Sequence, residues 1–188
     1  MLYSRKEFIL RDGTEVIFKS PDVSDARQLL DNIIAVANST DNLLSTPEDY
    51  EGYVKDIRKE EAFISSYRNN KNYLIAVYHN DKIIGTCSLD LHTQLKARHR
   101  STIGIAIQKE YWGKGIGSLL FDEMIKIAKS IDGIEQIELD VVKTNKRGKR
   151  LYASKGFVKT GDIPKQLKLK DGTYLDGEMM VLFLNNCN

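Results

Sequence analysis

Hydrophobic and polar positions in the first third of the chain predict a hairpin followed by two helices. Glu7–Leu10 and Glu15–Phe18 are short apolar runs, and Arg11–Thr14 between them contains an Asp-Gly pair that favours a turn. Apolar residues recur at helical spacing over Ala26–Ala37 and predict the first helix. A partial apolar stripe with many charges outside it predicts a second helix over Glu48–Tyr67.

The rest of the chain alternates between strand-like and helix-like patterns. Strands are predicted over Tyr73–Tyr78, Lys82–Leu91, Ser101–Ile107, Gln136–Val142, Phe157–Thr160 and Met179–Leu184. Helices are predicted over Ser118–Ser130 and Asn145–Lys155. His79-Asn80-Asp81 predicts a tight hairpin connection, and Asp171-Gly172 predicts a turn before the last strand. This order of elements predicts an α+β fold with a mixed sheet.

Composition narrows the class of protein. The 188 residues, 41% of them hydrophobic and 29% charged, predict one globular domain over residues 1–188. A net charge of +2 gives no reason to expect nucleic acid or an anionic membrane as the main partner. No apolar run is long enough to span a bilayer, and charged residues interrupt the N-terminus where a signal peptide would need an apolar core.

The two cysteines, Cys87 and Cys187, match neither a metal-ligand spacing nor a disulfide framework. We therefore expect no metal site. A reducing cytoplasm is the compartment that suits such a chain.

Three glycines, Gly113, Gly115 and Gly117, stand between a predicted strand and a predicted helix. Glycines let the backbone approach a ligand closely, and the start of the helix offers unpaired amides and a positive dipole end to an anion such as a pyrophosphate. The spacing is neither the dinucleotide fingerprint nor a P-loop. A simple tight turn is the alternative interpretation of the same residues.

A second group of residues favours the anion-binding loop over the simple turn. Ile105-Ala106-Ile107 and Tyr111–Leu120 are followed by Asn145 and by Leu151–Phe157, which contains Leu-Tyr and Gly-Phe pairs. Together these segments resemble the GNAT superfamily of N-acetyltransferases, over roughly Tyr73–Leu184. The resemblance implies the acyl-CoA N-acyltransferase fold: a mostly antiparallel twisted sheet with a splayed pair of parallel strands, flanked by helices. It also implies acetyl-CoA as cosubstrate.

The resemblance assigns roles to individual residues. The coenzyme A pyrophosphate would be bound through the backbone amides of Gly113, Lys114, Gly115, Ile116, Gly117 and Ser118. Ile105 and Ile107, in the segment with Ala106, would pair with the pantetheine arm as an added strand would. Asn145 would contact the cofactor near its reactive end. Trp112 stands where the family most often has Arg or Gln, but backbone contacts make this departure a minor one.

Basic residues surround Asn145 and offer two interpretations. Lys143, Lys146, Arg147, Lys149 and Arg150 could meet the 3′-phosphate of coenzyme A, or they could form a solvated helix face.

Direct acyl transfer needs a deprotonated amine, a donor to the thioester oxygen and a proton for the departing thiolate. Tyr152 matches the family's general acid, with a half-buried packing role as the alternative. The resemblance implies that the backbone amide near Ile105 donates to the thioester oxygen. No carboxylate stands at Arg100–Ile103, where some relatives place a base, so no base is assigned; His99, Glu138 and Asp140 are possible participants.

The acceptor is expected to be a primary amine of a small molecule, a protein or a peptide. The two N-terminal helices and the segment Asp162–Glu178 would wall the acceptor side. Acidic residues in these segments could attract a cationic amine or could be surface charges: Asp41, Glu48, Asp49, Asp176 and Glu178.

Two other functions are compatible with parts of this pattern. A catalytically silent acyl-CoA-binding module would keep the glycine loop and lose the acid, whereas Tyr152 is present. A nucleotide-binding regulatory domain would bind ATP or a dinucleotide, which the absent motifs disfavour. The apolar last strand suggests a sheet edge that could pair in a homodimer.

Overall fold

The computed structural model describes residues 2–69 and 71–184. The strands are β1 Lys6–Ile9, β2 Glu15–Lys19, β3 Tyr73–His79, β4 Lys82–Leu91, β5 Arg100–Ile107, β6 Gln136–Val142, β7 Val158–Lys168 and β8 Tyr174–Phe183. The helices are α1 Ala26–Ser39, α2 Glu51–Lys55, α3 Arg58–Asn69, α4 Ile116–Ser130 and α5 Lys146–Ser154. Short 3-10 turns cover Val23–Asp25, Pro47–Tyr50 and Lys109–Tyr111.

The strands hydrogen-bond in the order β1-β2-β3-β4-β5-β6-β8-β7. Strand β5 runs parallel to β6, whereas β1-β2, β2-β3, β3-β4, β6-β8 and β7-β8 are antiparallel. The predicted mixed, mostly antiparallel sheet is therefore confirmed. The parallel ladder pairs Arg100–Thr102 with Gln136–Glu138, while β5 itself continues to Ile107. Pairing that stops well before the strand ends agrees with the splayed pair that was expected.

The chain divides into two compact units. The first comprises Met1–Asp90 and Gly104–Leu120, and the second comprises Leu91–Ile103 and Phe121–Asn188. Strand β5 and helix α4 each contribute residues to both units. A single domain over residues 1–188 stays a prediction.

Helices α1 and α3 bury one face each against strands β3 and β4 in the first unit. The buried cluster consists of Ala26, Leu29, Ile64, Leu74, Ala76, Tyr78 and Ile83. Each large apolar side chain buried in this way contributes about 1.5–3 kcal/mol. Asn80 and Asp81 join β3 to β4 with φ angles of 49° and 60°. Both angles suit a two-residue hairpin turn, which is one residue shorter than the predicted connection His79-Asn80-Asp81 because β3 includes His79.

The second unit packs aromatic rings of α4, α5 and the residue before β7 together. Phe121 lies with its ring centroid 5.2 Å from that of Tyr152 and 5.7 Å from that of Phe157. Strand β6 lies between β5 and β8 in the sheet, and its residues Ile137, Leu139 and Val141 are buried. Helix α5 is thereby fixed through Tyr152 to the core of this unit.

The predicted helix over Glu48–Tyr67 is wrong as a single element. Asp56 adopts an extended backbone with φ −137° and ends α2, and α3 starts at Arg58. The Asp56 carboxylate accepts hydrogen bonds from the Arg58 backbone at 3.3 Å and from the Arg58 Nε at 2.7 Å. An acidic residue that binds the backbone locally competes with helix continuation, and that competition splits the segment.

The C-terminal strands differ from their predicted extent and position. Strand β7 runs to Lys168 and β8 begins at Tyr174, so most of Asp162–Glu178 forms a hairpin. Strand β8 pairs with β6 on one side and β7 on the other, so the expected edge at the last strand is wrong. The apolar character of β8 instead reflects its interior position, and a homodimer stays a prediction.

Cys87 is a buried free thiol, and burial raises its pKa. The prediction for Cys187 lies outside the described residues. No helix among residues 2–69 and 71–184 is long and apolar enough to cross a membrane.

Candidate functional site

The glycine loop ends where α4 begins and has the geometry of an anion site. Gly113 and Gly115 have φ angles of 85° and 94°, which favour glycine, and both are exposed. A side chain added at Gly115 would meet nothing within 4 Å, so the space above the loop is open. The Leu119 amide donates to the Gly115 carbonyl at 3.1 Å, which starts the hydrogen bonding of α4. The preceding amides at Ile116–Ser118 are the donors that a helix start leaves without an intrahelical acceptor.

These features fit a pyrophosphate, since the loop offers backbone donors, a helix N-terminus and room for the ligand. Ile116 is 1% exposed, so its side chain belongs to the core and only its backbone can serve a ligand. The sequence predicted this backbone role for the loop. The structure brings the loop and the second half of β5 together within the first unit.

The second half of β5 presents alternate residues to its two sides. The Gln108 amide donates to the Ile84 carbonyl of β4 at 3.0 Å. Backbone groups alternate along an antiparallel strand, so Ile105 and Ile107 direct their amides and carbonyls away from β4. The backbone of Ala106 points the other way, towards β4. A methyl group added at Gly85 of β4 would lie 3.2 Å from the Ala106 carbonyl oxygen. The residue itself is 7% exposed. Of the three residues predicted on this strand, Ile105 and Ile107 therefore direct backbone groups away from β4, and Ala106 does not.

Trp112 connects the loop to β5, a contact that the sequence did not indicate. Its indole Nε1 donates a hydrogen bond to the Ile107 carbonyl at 2.7 Å. The side chain that departs from the commonest family motif thus anchors the loop to the strand it follows. Ile107 keeps its amide for an added strand, while one lone pair of its carbonyl is already used.

The side chain of Lys114 is engaged within the first unit. Its Nζ lies 2.8 Å from Asp12 Oδ2 in the β1–β2 turn and 5.9 Å from the Tyr111 ring centroid. The hydrogen bond from Lys114 is the largest of the causes that hold the pKa of Asp12 below its usual range. Lys114 is therefore expected to serve a phosphate through its backbone amide.

Asn145 and Tyr152 belong to the second unit, on or next to α5. Asn145 is the N-cap of α5: its Oδ1 accepts from the Gly148 amide at 2.8 Å. A methyl group at Gly148 would lie 2.7 Å from Asn145 Nδ2, so the amide group is folded closely over that residue. Oδ1 uses one lone pair to cap the helix, so Nδ2 is the side-chain group of Asn145 that capping leaves for the predicted ligand contact.

Tyr152 is 8% exposed and packs in the ring cluster with Phe121 and Phe157. Its backbone carbonyl accepts from the Lys155 and Phe157 amides at 3.0 and 3.1 Å, which ends the helix. The ring is therefore held rigidly. The packing of Tyr152 is compatible with a catalytic role, since the ring can pack in the core while the hydroxyl group contacts a ligand.

The three residues suggested as possible bases, Glu138, Asp140 and His99, have different surroundings. Glu138 is 7% exposed and accepts two hydrogen bonds from Arg100, each 2.5 Å long, and the pKa of its carboxyl is lowered, first by Arg100. Asp140 is an exposed residue of β6. The pKa of its carboxyl is raised, first by partial desolvation and then by the negative charge of Glu138. His99 uses its backbone carbonyl to accept from Glu135 at 2.8 Å, just before β5 begins. The Arg100 pair makes Glu138 a poor proton acceptor.

Several of the predicted charged residues neutralise one another. Lys149 of α5 lies 2.9 Å from Glu178, and Lys143 lies 3.0 Å from Asp162 and 3.5 Å from Asp176. Asp176 and Glu178 therefore do not present unpaired charge to an acceptor amine. Lys146, Arg147 and Arg150 are the exposed basic residues of α5.

Two further acidic residues on the acceptor-side segments have local roles. Asp49 accepts from the Thr46 amide at 2.7 Å and closes the turn before α2. Asp41 is exposed in the loop after α1. Among residues 2–69 and 71–184, no group of three or more His, Cys, Asp or Glu side chains could hold a metal ion.

Comparison with known proteins places these features in one family. A model described as the acetyltransferase (GNAT) family matches residues 29–157. The L-amino acid N-acetyltransferase AaaT of Escherichia coli (strain K12) is 27% identical over 107 residues. That alignment covers 57% of this chain and 65% of AaaT, so the chain spans just under two thirds of the relative's length.

Solved structures share the fold. An acetyltransferase of the GNAT family from Streptococcus pneumoniae superposes with a TM-score of 0.82 at 24% identity, over 89% of this chain and 99% of that one. The yncA protein of Salmonella typhimurium, solved with its cofactor acetyl-CoA, gives a TM-score of 0.76 at 19% identity, over 90% and 94%. Since the family model spans more than half of the chain, this protein belongs to the acetyltransferase (GNAT) family.

Proposed function

We propose that this protein is an acetyl-CoA-dependent N-acetyltransferase that transfers the acetyl group to a primary amine of a small molecule, a protein or a peptide. The observation that carries the proposal is the open glycine loop at the start of α4, directly after a strand whose Ile105 and Ile107 backbones point away from β4. The loop suits the pyrophosphate of coenzyme A, and the backbone groups of the strand suit the amides of its pantetheine arm.

The cofactor would be held mainly by backbone. The amides of Gly113–Ser118 would bind the pyrophosphate, and Ile105 with the Ile107 amide would pair with the pantetheine arm. Trp112 would keep loop and strand in register through its bond to Ile107. Lys146 and Arg150, which are exposed, are the residues of α5 best suited to the 3′-phosphate.

The acetyl-CoA thioester supplies the acyl group, and the chain orients it and moves protons. A neutral amine would attack the thioester carbonyl while the backbone near Ile105 donates to the developing oxyanion. The C–N bond forms and the C–S bond breaks. The departing thiolate takes a proton from the phenol of Tyr152, and the proton that the attacking nitrogen loses restores that phenol. The rigid packing of the Tyr152 ring supports this assignment, because a fixed ring limits where the phenol can lie.

Relatives support the class of reaction. AaaT is named an L-amino acid N-acetyltransferase, and yncA was solved with acetyl-CoA as its cofactor. An α-amine is therefore a reasonable first acceptor. The proposed compartment is the cytoplasm, which keeps a thiol such as Cys87 reduced.

A thiol-release assay tests the proposal. Purified protein is incubated with acetyl-CoA and, in separate reactions, L-amino acids, spermidine or a peptide with a free N-terminus. Amine-dependent release of coenzyme A with formation of the acetylated amine is expected, and omission of the amine is the control. Acetyl-CoA binding without turnover of any amine would favour the silent acyl-CoA-binding module.

A further inference from the structure

Polar residues of β4 continue the sheet face that helices α1 and α3 cover in the first unit. Ser88 of β4 is paired with Leu74 of β3, which belongs to the cluster buried by the two helices. Directly paired residues of a sheet share a face, and so do residues two apart along one strand. Ser88 and Asp90 therefore lie on the face of Leu74, and both are half-buried. The face changes from apolar to polar at Ser88.

The carboxylate of Asp90 is held by neutral donors. Its Oδ1 accepts from the Tyr67 hydroxyl at 2.6 Å and from Asn72 Nδ2 at 3.1 Å. Its Oδ2 accepts from the Ser88 hydroxyl at 3.1 Å. A carboxylate has about four lone-pair positions, so one position on Oδ2 is left for a further donor.

No basic side chain neutralises this carboxylate. Within residues 2–69 and 71–184, Asp90 forms no ion pair with a lysine or an arginine. Arg68, the residue after Tyr67, is paired instead with Asp22 at 2.6 Å, and Lys71 is exposed. A half-buried carboxylate that keeps its charge attracts a cation, and an ammonium group supplies both the charge and the missing donor.

Gly104 of β5 connects this carboxylate to the strand proposed to hold the pantetheine arm. A methyl group added at Gly104 would lie 3.2 Å from Ser88 Oγ, and Gly104 is exposed. Its φ is not positive, so the backbone itself does not require glycine there. The missing side chain leaves the Ser88 hydroxyl uncovered. Gly104 also directly precedes Ile105, near which the proposed donor to the thioester oxygen lies.

Aromatic rings of α3 border the carboxylate on its other side. Phe63 lies one helical turn before Tyr67, and their ring centroids are 5.0 Å apart in an edge-to-face arrangement. Phe63 is 40% exposed, so part of its ring is available to a ligand. Aromatic rings next to a carboxylate suit an organic ammonium ion with an apolar group.

We propose that Asp90 and Ser88 bind the acceptor as an organic ammonium ion and place its nitrogen beside Ile105. The proposal rests on the proposed N-acetyltransferase function and names the acceptor class: an amine with a neighbouring apolar group and no carboxylate. The ammonium donates to Asp90 Oδ2 and to the Ser88 hydroxyl, while the apolar group lies against Phe63. A carboxylate on the acceptor would meet the charge of Asp90, which disfavours it. R–NH3⁺ gives one proton to water, and the resulting R–NH2 attacks the thioester.

Two amines that differ only in a carboxylate test the proposal. L-phenylalaninamide and L-phenylalanine are compared in the thiol-release assay at saturating acetyl-CoA, together with spermidine. The wild type is expected to have the higher kcat/KM for the amide. Asp90→Asn should lower kcat/KM for the amide roughly 30-fold and reduce its advantage over phenylalanine, with unchanged acetyl-CoA affinity. A merely structural role of Asp90 would lower kcat/KM for both amines by the same factor.

Asp25→Asn is the matched control, because the Asp25 carboxylate also accepts from a tyrosine hydroxyl, that of Tyr78 at 2.6 Å. It should leave kcat/KM unchanged for both amines. An Asp90→Asn protein with the kcat/KM of the wild type for every acetylated amine would overturn the proposal, and so would an equal loss for amide and acid. A wild type that acetylates none of the amines would instead refute the proposed function.

Gly104→Ala tests the site without altering the carboxylate. The added methyl group narrows the space beside Ser88 Oγ, so KM for the amide should rise roughly 10-fold while acetyl-CoA affinity is unchanged. Gly161→Ala, at a strand glycine of β7 with nothing within 4 Å of the added atom, is the control. This variant decides the question if Asp90→Asn does not fold. An unchanged KM in Gly104→Ala would contradict the placement of the amine beside Ser88.

Discussion

The glycine loop of the first unit and helix α5 of the second unit differ in which atoms they leave for a ligand. In the loop, side chains are committed to the fold: Trp112 bonds to β5, Lys114 pairs with Asp12, and Ile116 is in the core. The backbone is what remains. On α5, Asn145 uses its oxygen as a cap and Lys149 pairs with Glu178. The proposed function there depends on the phenol of Tyr152 and on exposed basic residues.

The difference has a physical consequence for mutagenesis. Backbone donors survive most substitutions, so the loop should fail only where a side chain blocks the ligand or where φ demands glycine. A side-chain donor is lost with a single atom. The two regions are therefore expected to respond to different kinds of change, and matched variants can show whether this contrast is real.

The largest effect is expected on α5. Tyr152→Phe removes a proton donor and keeps the ring packing with Phe121, so kcat should fall roughly 100-fold while acetyl-CoA affinity stays unchanged. Steady-state kinetics with a responsive amine measures both quantities. Tyr174→Phe, at an exposed tyrosine of the same unit, is the control. Unchanged kcat at all pH values would remove Tyr152 from the mechanism.

The next effect belongs to the loop. Gly115→Asp places a side chain and a negative charge in the open space above the amides, so acetyl-CoA affinity should fall roughly 10- to 100-fold. Trp112, the only tryptophan, adjoins the loop and can report binding by its fluorescence. Gly172→Asp has a similar φ of 88° and equally open space in the β7–β8 turn, so it controls for backbone strain. Wild-type affinity in folded Gly115→Asp would mean that the loop is only a turn.

A smaller effect separates the two uses of Asn145. Asn145→Ala removes the α5 cap and should lower the free energy of unfolding by about 1 kcal/mol, as measured by denaturant titration. Asn145→Asp keeps the accepting oxygen and loses Nδ2. If Nδ2 contacts the cofactor, Asn145→Asp will weaken acetyl-CoA binding despite a stable helix. Wild-type affinity in Asn145→Asp would restrict this residue to capping.

The smallest effect is expected at Lys114. Its ammonium is paired with Asp12, so Lys114→Ala should change acetyl-CoA affinity by less than about twofold. Asp12→Asn is the companion variant, because it releases the ammonium from its partner. A tenfold loss in Lys114→Ala would show that the side chain contacts phosphate, and the contrast between the two regions would then weaken.

Much of this architecture follows from local sequence patterns. The Asp-Gly hairpin, the helix starting near Ala26, the short turn at Asn80-Asp81 and the glycine loop each depend on residues close in sequence. The parallel β5–β6 pair was expected only through the family resemblance, because pairing of distant strands leaves no local signature.

The wrong predictions, a single helix over Glu48–Tyr67 and an edge position for the last strand, have different physical causes. The break at Asp56 depends on one carboxylate that binds the next backbone amides. The interior position of β8 depends on β7 pairing outside it, which no pattern within β8 can show. The bond from Trp112 to Ile107 carried none, because it joins a loop to the strand before it.

Calorimetric titration with acetyl-CoA, with ATP and NAD as control ligands, tests the central claim most directly. The backbone-built loop and the Ile105 and Ile107 backbone groups that point away from β4 predict saturable binding of acetyl-CoA and no binding of the two controls. Absence of acetyl-CoA binding by the folded protein, or binding of ATP or NAD in its place, would contradict the account.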